Sequence, residues 1–150
     1  MTVSQQFGKD VAMDGVRGGE NLFLGVLAGI IAAAVGAAVW MEITMATGAQ
    51  FGLVALGVGA LVGLAVRFVG NGTGMIFGVV GAILTLISCL SGEILTRVQQ
   101  ESTPERNFFT TLTSVDLPQL LTSIFNQMGP ISYLIYGLGI YEGYKLSIRK

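Results

Sequence analysis

The chain has 150 residues, 52% of them hydrophobic and 11% charged, with a mean hydropathy of +0.71. Soluble domains carry about 25% charged residues, so this chain has too few to cover a surface facing water. A net charge of −1 with no basic cluster speaks against a nucleic-acid partner, and the absence of histidine removes the commonest general base and metal ligand.

Residues 1–20 read as a polar N-terminal tail bearing Lys9, Asp10, Asp14, Arg17 and Glu20. The apolar run that follows is longer than the roughly 7–15 residues of a cleavable signal core and ends in Trp40 and Glu42, so it is expected to persist as a transmembrane helix. From Glu20 to Arg97 the intervening charges are Glu42, Arg67 and Glu93 alone. The apolar stretches between them can each cross roughly 30 Å of hydrocarbon as about 20 helical residues. Spans are expected at about residues 21–41 or a turn beyond, 51–69 and 75–95, and a fourth at about 130–146. Hydrocarbon demands helices here because each backbone group must be satisfied internally. The turns Thr47-Gly48-Ala49-Gln50 and Asn71-Gly72-Thr73-Gly74 are short, so the first three spans should be antiparallel neighbours.

Residues 97–128 form the one sizeable segment outside the membrane: a polar linker over residues 99–107, then an amphipathic helix. In that helix Leu117, Leu120, Leu121, Ile124, Phe125 and Met128 share one face, with Asp116 as N-cap and Pro118 in the first turn. Its expected role is to face a partner or lie against its own bundle, with the bilayer interface as the alternative. Residues 129–150 supply the fourth span and a short tail. The expected fold is thus an all-α membrane protein of four transmembrane helices, with one extra amphipathic helix in the loop before the last.

Basic residues set the orientation. With four spans Lys9, Arg17, Arg67, Lys145, Arg149 and Lys150 fall on one side, and Arg97 and Arg106 on the other, diluted by Glu101 and Glu105. Both termini are therefore expected in the cytoplasm.

Helices in lipid associate by close backbone approach, which small residues permit. The first three spans carry such stripes: Gly25, Gly29, Ala33 and Ala37; Ala55, Gly59 and Gly63; Gly74, Gly78 and Ala82, with Gly81, Thr85 and Ser88 alongside. Packing within the bundle is one use for them; a stripe left over for self-association is the other. Residues 25–40 and 52–67 also match at seven of sixteen positions when shifted by 27, a weak internal repeat drawn from a small apolar vocabulary.

The hairpin Trp40-x-x-Ile43-x-x-x-Thr47-Gly48-x-x-x-Gly52-x-x-Ala55-x-x-x-Gly59-x-x-Val62-Gly63-x-x-Val66-Arg67-x-x-Gly70 resembles a widespread, functionally uncharacterised small integral-membrane domain of bacteria. The resemblance covers about residues 25–95 and implies a bacterial inner-membrane location, with no activity attached. The chain departs from it in lacking zinc-ribbon cysteines and in adding the segment 97–128 and a fourth span.

With the termini inside, Glu42 and Glu93 fall at the outer ends of spans one and three, and Arg67 and Glu142 at the inner ends of spans two and four. A charge at the bilayer centre costs about 2.5–3.5 kcal/mol or more, and less near the interface, so interfacial placement is the first expectation. The functional alternatives are an outer carboxylate pair, Glu42 with Glu93, open to a proton or a hard cation, and an inner ion pair, Arg67 with Glu142. Trp40, Tyr141 and Tyr144 fit aromatic belts at the interfaces, while Tyr136 beside a Gly-rich face suggests core packing or a lipid or quinone slot. Neither intramembrane aspartates nor a phosphate-binding loop is present. The sequence therefore points to a non-enzymatic structural or accessory subunit of a homo-oligomer or larger membrane complex, without cofactor or metal, its partners the bilayer and other membrane subunits. A small oligomeric channel or permeability factor for ions is the alternative.

Overall fold

The computed structural model describes residues 2–14, 21–48 and 53–148, with backbone alone over 10–14. They form seven α-helices: α1 Val3–Asp14, α2 Leu22–Thr47, α3 Leu53–Gly70, α4 Met75–Glu101, α5 Phe108–Ser114, α6 Leu117–Gln127 and α7 Pro130–Ser147. Arg17 and Glu20, Ala49 and Gln50 of the first turn, and Arg149 and Lys150 lie outside the described residues.

Three of these helices, α2, α3 and α4, are long and apolar enough to cross a membrane. The expectation of four such helices is corrected in α7. It runs 18 residues as a helix, but Glu142, Lys145 and four tyrosines dilute its apolar content. The third span is also longer than expected, continuing past Leu95 to Glu101. Polar residues can extend a helix beyond the hydrocarbon, where water serves their side chains. Two helices were not expected at all: α1 within the tail, exposed from Thr2 to Lys9, and the seven-residue α5 in the loop.

Apart from Trp40, helix α2 turns small residues inward and bulky ones outward. Helix α2 buries Gly25, Gly29, Ala32, Ala33, Gly36, Ala37 and Trp40, and exposes Ile30, Ile31, Val35 and Val39. This inversion suits a lipid solvent, in which Leu and Ile gain nothing by turning inward. Helix α3 packs most extensively on α7 and next on α2; α4 packs on α2 and α7; α5 and α6 rest lightly on α4.

Helix ends are closed locally. Asn21 caps α2 by accepting from the Leu24 amide at 3.2 Å, and its own amide donates to Gly70 O at 2.9 Å, joining the start of α2 to the end of α3. At the other end Gly48 takes φ +64° and donates to Thr44 O, a left-handed C-cap that a residue without Cβ adopts at no steric cost. Inside, Thr85, Thr96 and Ser147 donate to carbonyls one turn back, while Ser88 Oγ crosses to Ala33 O on α2 at 2.7 Å.

Of the stripe glycines, Gly25, Gly29, Gly59, Gly63, Gly78 and Gly81 lie at close approaches, whereas a Cβ on Gly74 would meet nothing nearer than 3.9 Å. A Cβ on Gly25 would meet Gly70 Cα at 3.1 Å; on Gly29, Leu84 and Val66; on Gly78, the Tyr144 ring at 2.7 Å. One on Gly59 would collide with the Gly139 carbonyl, and one on Gly63 would reach Gly143 O at 3.0 Å. The stripe on α3 is thus occupied by α7 of the same chain, which accounts for small faces in excess of what three helices need. Gly57 faces open space. Gly59→Val should therefore drive α3 from α7 at a cost of at least about 1–3 kcal/mol and lower the thermal midpoint in detergent, whereas Gly57→Ala should leave it unchanged.

Candidate functional site

The inward face of α4 runs through Gly78, Gly81, Thr85, Ser88, Cys89, Gly92, Glu93 and Thr96. The same helical period that places the small residues against α2 and α7 carries Glu93 inside with them. Glu93 is 2% exposed, its side chain turned into the bundle on the packed face of α4. Tyr136 on α7 donates its hydroxyl to Glu93 Oε1 at 3.0 Å. Trp40 on α2, also 2% exposed, completes the cluster with its ring centroid 5.6 Å from that of Tyr136 and the planes tilted by 56°. Trp40 sits inside because Gly92 leaves room for it; a Cβ there would meet the indole at 2.8 Å. The belt position expected for this tryptophan is therefore replaced by a core position.

Two cavities adjoin the Glu93 carboxylate. The larger, about 150 Å³, is lined by Trp40, Glu93, Met128, Ile131, Ser132, Ile135 and Tyr136. The smaller, about 80 Å³, is lined by Glu93, Arg97, Ile124, Gln127 and Met128. Arg97 lies one turn beyond Glu93 and donates to Gln127 Oε1 at 2.7 Å, and Gln127 Nε2 donates to Ser123 Oγ. This chain of polar contacts ties α4 to α6, while Tyr133 on α7 donates to Phe125 O in the last turn of α6. Helix α6 therefore roofs the buried carboxylate.

The other sequence candidates divide. Glu42 is exposed. Two residues past buried Trp40, it points about 200° around the helix from it, so the structure does not bring Glu42 and Glu93 together, and Tyr136 takes the place expected for a second carboxylate. Arg67 and Glu142 are both half-buried, and Gly63, one turn before Arg67, packs against the Glu142 backbone. Among the described residues, however, no ion pair within 4.0 Å joins the two side chains. Of the amphipathic set, Ile124 is 1% exposed beside the smaller cavity, Leu120 and Leu121 are half-buried, and Leu117 and Phe125 are exposed. Asp116 stands at the N-cap of α6 without a side-chain capping bond.

Replacing Tyr136 by Phe removes a donor from a buried carboxylate, which should cost about 1–3 kcal/mol. Glu93→Gln, which keeps an acceptor opposite the hydroxyl, should cost less. Thermal unfolding followed through the single tryptophan, Trp40, checks both. Comparison with protein-family models, with curated proteins and with solved structures finds no match to this chain.

Proposed function

We propose that the chain is a non-enzymatic, four-pass membrane protein, with both termini in the cytoplasm of a bacterium, serving as a structural or accessory subunit of a homo-oligomer or larger inner-membrane complex. The fourth pass is supported by the packing of α7. Gly139 meets Ala55 and Gly59 on α3, and Gly143 meets Gly63 on α3 as well as Gly81 and Thr85 on α4. A helix locked backbone to backbone along two spanning helices shares their depth, whatever its own composition. Four passes then gather the basic residues near the termini on one side, as the positive-inside rule prefers. The bacterial location rests on the resemblance of the 40–70 hairpin.

One observation carries the subunit reading. Above a bundle closed by glycine contacts, the loop helices leave large apolar side chains uncovered: Phe109 76% exposed, Leu117 51% and Phe125 45%. Apolar side chains exposed on a segment beside water mark an interaction surface.

Two measurements test this. A fluorescent reporter fused after Lys150 should glow in the cytoplasm, and a cysteine at Glu105 in a Cys89→Ala background should be labelled from the opposite side; labelling from the reporter's side would remove the fourth pass. A photo-crosslinker at Phe109 or Phe125 should capture a membrane protein or a sister copy in native membranes, while one at Ser4 should not. Ion flux in liposomes that Glu42→Gln alters would replace the subunit reading with an oligomeric channel.

A further inference from the structure

The cavity between α2, α4 and α7 combines an unpaired hydrogen-bond donor with walls that are mostly carbon. Met128, Ile131 and Ile135 line it together with the Trp40 and Tyr136 rings. The indole Nε1 of Trp40 is buried and finds no hydrogen-bond partner among the described residues. A buried N–H is costly to leave unpaired, because burial strips its water without returning an acceptor. An acceptor therefore belongs beside it. Glu93 does not fill that role: the Tyr136 hydroxyl donates to it at 3.0 Å and Arg97 lies beside it.

The cavity measures about 150 Å³, and each water in the liquid takes about 30 Å³. A single water would satisfy the indole but leave most of the volume facing carbon. The space suits a small acceptor joined to an apolar chain. Ile131, 73% exposed, stands at the rim, and Leu134 at 67% and Leu138 at 46% continue the same face of α7 at helical spacing. We propose that the cavity seats an acyl ester of a diacyl lipid. Trp40 Nε1 donates to the ester carbonyl oxygen, the first methylenes fill the space beside Met128 and Ile135, and the rest of the chain runs down Ile131, Leu134 and Leu138. Depth agrees with this occupant. Trp40 precedes Thr47, the last residue of α2, by seven residues, about 10 Å at 1.5 Å per residue, and Ile131 is the second residue of α7. Headgroups occupy about 5–8 Å on each side of the hydrocarbon, and ester carbonyls lie where the two meet. The placement rests on α7 being the fourth pass.

Trp40 is the only tryptophan, so isotope-labelled tryptophan gives a single indole N–H resonance that reads the cavity directly. The protein in alkyl maltoside, stripped of phospholipid, is titrated with phosphatidylglycerol bearing ester-linked chains and with its diether analogue. The analogue keeps the headgroup and chains and lacks only the carbonyls. A saturable downfield shift of the indole proton with the ester lipid, at least tenfold weaker with the diether, is expected. Equal responses to the two lipids overturn the proposal, as does an indole bonded to water and unmoved by either. A response to a quinone dissolved in the diether lipid, with none to the ester lipid, overturns it as well. The comparison is made on the wild-type protein, so no variant has to fold. Labelling at Glu105 judges the fourth pass separately: if that pass holds while the two lipids act alike, the lipid proposal alone falls, and if the pass is lost, a shift confined to the ester lipid still supports the occupant.

Discussion

The arrangement of this bundle depends on backbone-to-backbone contact between α7 and its neighbours. In lipid no hydrophobic force drives helices together, so affinity has to come from closeness. The glycines of α3, α4 and α7 provide it at successive levels, from Gly59 against Gly139 to Gly81 against Gly143. Every later feature follows from this seam. It sets the rotation of α7, and the rotation aims Tyr136 at Glu93. It also fixes the height of α7, and that height leaves Tyr133 where its hydroxyl reaches the Phe125 carbonyl of α6.

Polar groups within the bundle follow a second rule, that hydrocarbon offers them no water. Threonine and serine hydroxyls donate hydrogen bonds to carbonyls one turn back, and Ser88 donates to Ala33 O on a neighbouring helix. Glu93 is the one carboxylate on the buried face of α4. Its environment is assembled from four helices: its own, Trp40 of α2, Tyr136 of α7 and, through Arg97 and Gln127, the roofing α6. A carboxylate placed only to mark a membrane boundary would need none of these.

Much of the fold was legible because it is periodic. Apolar runs bounded by Thr-Gly and Asn-Gly turns placed α2, α3 and α4, and the spacing of Leu117, Leu120, Leu121 and Ile124 placed α6. The bounds of α7 were also readable, from Pro130 and the glycines after it. Helices α1 and α5 were not: Phe108–Ser114 is seven residues long, and Val3–Asp14 lies in a polar tail whose sequence carries no apolar helical stripe. The burial of Glu93 was missed for a different reason. Its distance from the helix end suggests an interface, whereas its register with Gly81, Thr85, Ser88 and Gly92 assigns it to the inner face. Register governs here, because a helix can shift in depth by a few ångströms but cannot rotate away its packed stripe. The partnership with Tyr136, 43 residues away, depends on how α7 leans on α4, and no local pattern encodes that.

The clasp between Asn21 and Gly70 closes the α2–α3 hairpin at the end opposite its turn. As the chain is synthesised, this pair can settle before α4 and α7 have left the ribosome. The stripe of Ala55, Gly59 and Gly63 then lies bare to the membrane until α7 arrives. A segment made after its partners is thus the one that covers this glycine surface, and a chain cut short before α7 would advertise its incompleteness to whatever surveys the bilayer for unfinished proteins.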